Sequence, residues 1–101
     1  MPNFVTVAKV SDLAPGSCKT VSAGGQEIAL FNVGGKFCAL HNTCLHKGGP
    51  LGEGTLEGNV VTCPWHGWQW DVTTGQNAMG MPQTVQKFET KVEGDSVMVA
   101  V

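Results

Sequence analysis

Two short segments hold the residues best suited to chemistry. Cys44-Leu45-His46 and Cys63-Pro64-Trp65-His66 each pair one thiol with one imidazole, and sixteen residues separate His46 from Cys63. Spacings of C-x-H and C-x-x-H let both side chains of a tight loop converge on a single centre, so four such ligands suit a metal site. Gly48, Gly49 and Gly67 stand beside them, where the lack of a side chain lets backbone N–H groups approach sulfur. Two metals compete for this set. A single zinc accepts Cys₂His₂ ligation, but its common arrangement places two cysteines on one loop and two histidines on a helix. A two-iron cluster fits mixed pairs, because each loop can then reach both irons.

The elements that must position these loops read as strands. Short alternating or β-branched segments recur at residues 4–9, 17–22, 26–33, 37–40, 54–57, 60–63, 86–92 and 96–101. Gly34-Gly35, Gly58-Asn59 and Glu93-Gly94-Asp95 mark three hairpin turns. No stretch of helical apolar spacing runs ten residues without glycine or proline, so an all-β domain of antiparallel hairpins is expected. Residues 41–53 and 63–85 break the strand pattern and read as two functional loops on that scaffold. The 101 residues suit a single domain, 1–101.

Charge is mild, with six lysines, no arginine and eight acidic residues. That balance argues against nucleic-acid binding, which calls for a basic face. No apolar run is long enough for a membrane span, and the first residues lack signal-peptide order, so a cytoplasmic protein is expected.

The full pattern, C-x-H-x₁₆-C-x₂-H with GGPL after the first pair and CPWHGW, Asp71 and Thr74-Gly75 around the second, resembles the Rieske [2Fe–2S] family. The resemblance implies an antiparallel β-sandwich with a two-loop cluster-binding subdomain. It implies one [2Fe–2S] cluster, with Cys44 and Cys63 on the inner iron and His46 and His66 on the outer, solvent-facing iron. Two thiolates leave the oxidised centre neutral, whereas four would leave it doubly negative. Reduction is therefore easier, in the range of roughly −150 to +300 mV. The ring N–H groups of the two imidazoles can titrate, so the potential should fall at high pH.

High-potential members of respiratory complexes join the two loops by a disulfide; the matching positions here are Gly49 and Trp65. They also carry a hydroxyl two residues after the second histidine, where Trp68 stands in this sequence. Fewer hydrogen bonds to the sulfurs place the expected potential near the low end. These features are similar to the soluble ferredoxins that take electrons from a flavin reductase and pass them to a terminal oxygenase acting on aromatic rings. The oxygenase itself needs a mononuclear iron held by two histidines and a carboxylate. Only His41 remains outside the cluster set, so an electron carrier rather than an enzyme is expected. Other readings are the small subunit of an assimilatory nitrite reductase, and a zinc-bound structural or interaction module.

Several residues take plainer roles. His41 reads as a surface or hydrogen-bonding histidine, and Cys18 and Cys38 as buried, inert thiols, a disulfide between them being the lesser option. Trp70 is expected in the core, while Trp65 at the loop tip shields the cluster and partly faces a partner. Trp68 is left between packing under the loop and lying over its edge. Asp71 with Thr74-Gly75 closes an Asx-type turn. Pro82 matches a third loop covering the cluster in the family, with Met79 and Met81 as apolar packing nearby. Leu45, Pro50, Trp65 and the edges of His46 and His66 form the expected docking tip, with Glu53 as a weak steering charge.

Overall fold

The computed structural model describes residues 3–43, 50–65 and 67–101. Cys44, Leu45, His46, Gly48, Gly49 and His66 lie outside them. The described residues form ten strands: β1 (Phe4–Lys9), β2 (Cys18–Ala23), β3 (Gln26–Val33), β4 (Lys36–His41), β5 (Thr55–Glu57), β6 (Val60–Thr62), β7 (Gln69–Asp71), β8 (Lys87–Phe88), β9 (Thr90–Glu93) and β10 (Ser96–Ala100). Among the described residues, only two single 3-10 turns, Val10–Asp12 and Leu51–Glu53, interrupt them. The all-β expectation holds, and every pairing between these strands is antiparallel.

Three sheets have the orders β1-β10-β9, β2-β3-β4-β8 and β5-β6-β7. The middle one carries the domain, and its sequence says why. On β3, Ile28 and Leu30 belong to one apolar cluster, with Val97, Val99 and Phe88. Ala29 and Phe31, pointing the other way, belong to a second cluster with Leu51, Val61, Cys63 and Trp70. On β4, Phe37 and Ala39 join the first cluster, and Cys38 and Leu40 the second. A strand covered on both faces loses its polar alternation, so β3 reads as a continuous apolar run. One layer is the β1-β10-β9 sheet; the other is the small sheet that carries the loops.

The three expected turns are present, with Val33 opposite Lys36, Glu57 opposite Val60 and Glu93 opposite Ser96. The segment 86–92 is not one strand. It changes sheets at Glu89: β8 pairs with β4, and β9 pairs with β10. Thr90 Oγ1 donates to Phe37 O at 2.7 Å and holds the crossing in place. A strand that changes layers makes the corner of a sandwich. β7 is a further addition, formed within a region expected to be loop, because Gln69, Trp70 and Asp71 pair with β6.

Candidate metal centre

The chain leaving the first loop and the chain entering the second lie side by side. Thr55 pairs with Thr62 across β5 and β6, one residue short of Cys63. Leu51, just after the first loop, and Cys63 share one buried cluster. The roots of both loops are thus fixed to the same apolar floor, as facing ligand loops require.

Cys63 is the expected ligand that the described residues include. It is 2% exposed, and its backbone N–H donates to Trp68 O at 2.7 Å, closing the CPWHGW loop at its base. Its sulfur accepts the backbone N–H of Trp65 at 3.4 Å. An N–H aimed at sulfur stabilises a thiolate, and a thiolate is the form that binds iron. A buried cysteine on a tight loop with its sulfur already hydrogen-bonded fits an inner iron–sulfur ligand. Gly67 sits at φ +73 with no described atom within 4 Å of where a Cβ would stand, so this turn selects glycine by conformation.

The tryptophans separate by depth. Trp65 is 51% exposed, whereas Trp70 is fully buried. Trp68 packs partly buried against the core that holds Cys63, with its ring centroid 6.1 Å from that of Trp70. It lies under the loop rather than over its edge. Trp70 Nε1 has no hydrogen-bond partner among the described residues.

A third loop rises from the same sheet. Ala78 N–H donates to Gln69 O at 2.9 Å, next to the Cys63–Trp68 closure. Asn77 shapes the turn after it: its Oδ1 accepts the N–H groups of Met79 at 2.7 Å and Met81 at 3.4 Å. Among the described residues Met79, Met81 and Pro82 are exposed.

Asp71 accepts from Thr73 N at 2.9 Å, from the Thr73 hydroxyl, and from Asn59 Nδ2 at 3.1 Å. The expected Asx bond therefore runs to Thr73. Gly75 N–H bonds the Asp71 backbone carbonyl at 2.7 Å instead. Partial burial pushes the Asp71 carboxyl up, but hydrogen bonds from Thr73, Asn59 and Thr74 outweigh it and hold it below the ordinary aspartate value.

His41 Nδ1 accepts the N–H of Thr43 at 3.2 Å, in keeping with a hydrogen-bonding role. Cys18 and Cys38 form no disulfide. Cys38 is buried as expected. Cys18 is only half-buried, because it faces the segment after the first loop and donates its thiol to Gly54 O at 3.2 Å. Burial pushes both thiols up; for Cys38, Lys36 and Lys87 act weakly the other way.

Two buried residues beside the loops escaped the sequence reading: Asn42 and Asn77. Their signal was a lone asparagine at the edge of a loop, which by itself says only turn.

Comparison with known proteins decides the family, since the profile of the Rieske [2Fe–2S] domain matches residues 3–97. The chain belongs to the Rieske family. It is 39% identical over 100 residues to ferredoxin CarAc of Metapseudomonas resinovorans, covering 96% of this chain and 92% of that one. It is 40% identical over 95 residues to the ferredoxin component of biphenyl 2,3-dioxygenase from Rhodococcus jostii (strain RHA1), covering 92% and 88%. Among solved structures it superposes with TM-score 0.88 on a chain from a complex of reduced oxygenase and oxidized ferredoxin in carbazole 1,9a-dioxygenase. There the identity is 36%, with 96% of this chain and 92% of that chain covered. Of the two metals allowed by the spacing, the Rieske domain takes the iron cluster, one [2Fe–2S] per chain. The protein is a Rieske ferredoxin, an electron carrier and not itself the oxygenase catalyst.

Proposed function

We propose that this ferredoxin, with residues 1–101 as a single Rieske domain, carries single electrons from a flavin-dependent reductase to a terminal oxygenase acting on aromatic rings in the cytoplasm. In this reading Cys44 and Cys63 hold the inner iron, and His46 and His66 the outer one. When bound, the cluster supplies one-electron chemistry at a potential that imidazole ligation raises. The chain's own residues do the rest. Cys63 anchors the site in the core, the Trp65 N–H stabilises its sulfur, and Trp68 packs where a hydroxyl would have pulled the potential upward.

The observation that carries the reading is the pairing of a buried ligand with an exposed indole. Cys63 is 2% exposed and Trp65, two residues on, is 51% exposed. An aromatic ring at the surface beside a redox centre is a natural anchor for a docking partner, since tryptophan is enriched at binding hot spots. Oxygenase and ferredoxin occur together in the complex of the carbazole 1,9a-dioxygenase relative, which supports the same class of partner here. No helix among the described residues is long and apolar enough to cross a membrane.

The test is electron paramagnetic resonance of the reduced protein with a potential titration, followed by turnover with a reductase and an aromatic-ring oxygenase. A rhombic signal of a histidine-ligated [2Fe–2S] centre, and electron delivery to the oxygenase, are expected. A colourless, redox-silent protein holding one zinc would overturn the ligand and carrier roles together.

A further inference from the structure

The loop expected to carry Cys44 and His46 is closed at its base largely through one residue, Asn42. Asn42 is 7% exposed, and its backbone carbonyl accepts the N–H of Leu51 at 2.7 Å. Its side-chain Oδ1 accepts the N–H of Gly52 at 2.8 Å. Thr43 and Pro50 form a bridge directly above. Both oxygens of one residue thus hold the 3-10 turn Leu51–Glu53, which follows residues 44–49 in the chain.

Asn42 is itself held. Thr20 Oγ1 on β2 donates to its Oδ1 at 3.2 Å, and its backbone N–H donates to Glu27 O at 3.1 Å. Gly52 completes the contact: a Cβ there would stand 2.7 Å from the Thr20 backbone nitrogen, closer than such atoms approach. Only glycine lets the 3-10 turn Leu51–Glu53 press against β2. Thr20, Asn42 and Gly52 therefore form one contact between the central sheet and the first loop, made without any residue of that loop's tip.

We propose that Asn42, oriented by Thr20, is the positioning residue of the first ligand loop. It fixes the separation and register of the loop's two ends, and hence the directions in which Cys44 and His46 present their ligand atoms. The inference rests on the ligand assignment above. Groups that orient metal ligands change metal affinity by about 10–100-fold when removed, although they touch no metal. A backbone staple of this kind acts on both ligands of its loop at once.

The experiment uses the cluster-loaded protein and three variants: Asn42→Ala, Asn42→Asp and Thr20→Val. Release of the cluster to an iron chelator is followed by loss of visible colour, and the reduced protein by electron paramagnetic resonance. Asn42→Ala is expected to release the cluster about 10–100-fold faster, with a broadened reduced signal. Asn42→Asp keeps the accepting oxygen and should return both readouts close to the parent. Thr20→Val, nearly the same shape without the donor, should shift them in the same direction by a smaller factor.

Parent-like release and spectra in both Asn42→Ala and Thr20→Val would overturn the proposal. So would faster release in Asn42→Asp equal to that in Asn42→Ala with an unchanged signal, which marks general destabilisation. If Asn42→Ala does not fold, Thr20→Val decides alone, and parent-like behaviour there is fatal. Failure of the ligand assignment looks different: Cys44→Ser would then keep a parent-like cluster spectrum.

Discussion

The backbone N–H of Trp65 lies 3.4 Å from the sulfur of Cys63, while the Trp65 ring stands half in solvent. One residue thus serves the centre through its main chain and the surface through its side chain. The two roles can be separated, because a side-chain truncation leaves the N–H in place.

Trp65→Ala should therefore leave the reduction potential close to the parent value while weakening association with the oxygenase. An aromatic anchor at a hot spot is worth about 2 kcal/mol, or roughly 30-fold in Kd. Calorimetric titration against the oxygenase, with voltammetry of the free ferredoxin, checks both parts. A large fall in potential with unchanged affinity would reverse the assignment.

His66→Cys tests the ligand set. A third thiolate adds negative charge to the centre, so any cluster that assembles should have a much lower potential, toward the about −400 mV of all-cysteine ferredoxins. Protein-film voltammetry reads this directly. An unchanged potential would mean that His66 is not a ligand.

Asp71 makes acid stability predictable in sign. Its carboxyl is held below the ordinary value in the folded chain, burial being outweighed by hydrogen bonds from Thr73, Asn59 and Thr74. A depressed folded value contributes stability that is present above the unfolded pKa of about 3.9 and is lost as pH falls through the folded value. Asp71→Asn should thus lower stability near neutral pH and flatten the loss below about pH 4. Urea unfolding at several pH values, followed by circular dichroism, gives the slope. An acid limb as steep as the parent's would count against it.

Asn77→Ala removes the acceptor for the backbone N–H groups of Met79 and Met81. Two lost hydrogen bonds cost about 1–3 kcal/mol. Part of this is offset because the Asn77 Nδ2, unpartnered among the described residues, goes with it. The expected outcome is a small stability loss with faster proteolysis in the 78–83 segment. Asn77→Asp, which keeps the acceptor, should resist cleavage like the parent. Equal protease resistance in all three proteins would show that the loop holds itself.

Much of this protein was legible in its residues. The mixed Cys–His pairs pointed to an iron–sulfur centre, and the match of the Rieske [2Fe–2S] domain over residues 3–97 agrees with that cofactor. The glycine-bearing turns 34–35, 58–59 and 94–95 marked hairpins that the structure contains, because tight turns depend on local backbone conformation. Trp70 was expected in the core, and it is fully buried.

The tertiary structure decided the relations between partners far apart in sequence. β1 pairs with β10 from opposite ends of the chain, and the 86–92 segment divides at Glu89 between two sheets. Local periodicity sees only that such residues favour strands, not which layer receives them. The buried role of Asn42 depends on Thr20, twenty-two residues away, and on Gly52, ten residues away. An asparagine at a loop edge carries the same local signal whether it faces water or holds the loop closed. Which it does is decided only when the sheets pack, because packing removes water and leaves its carboxamide to find backbone partners.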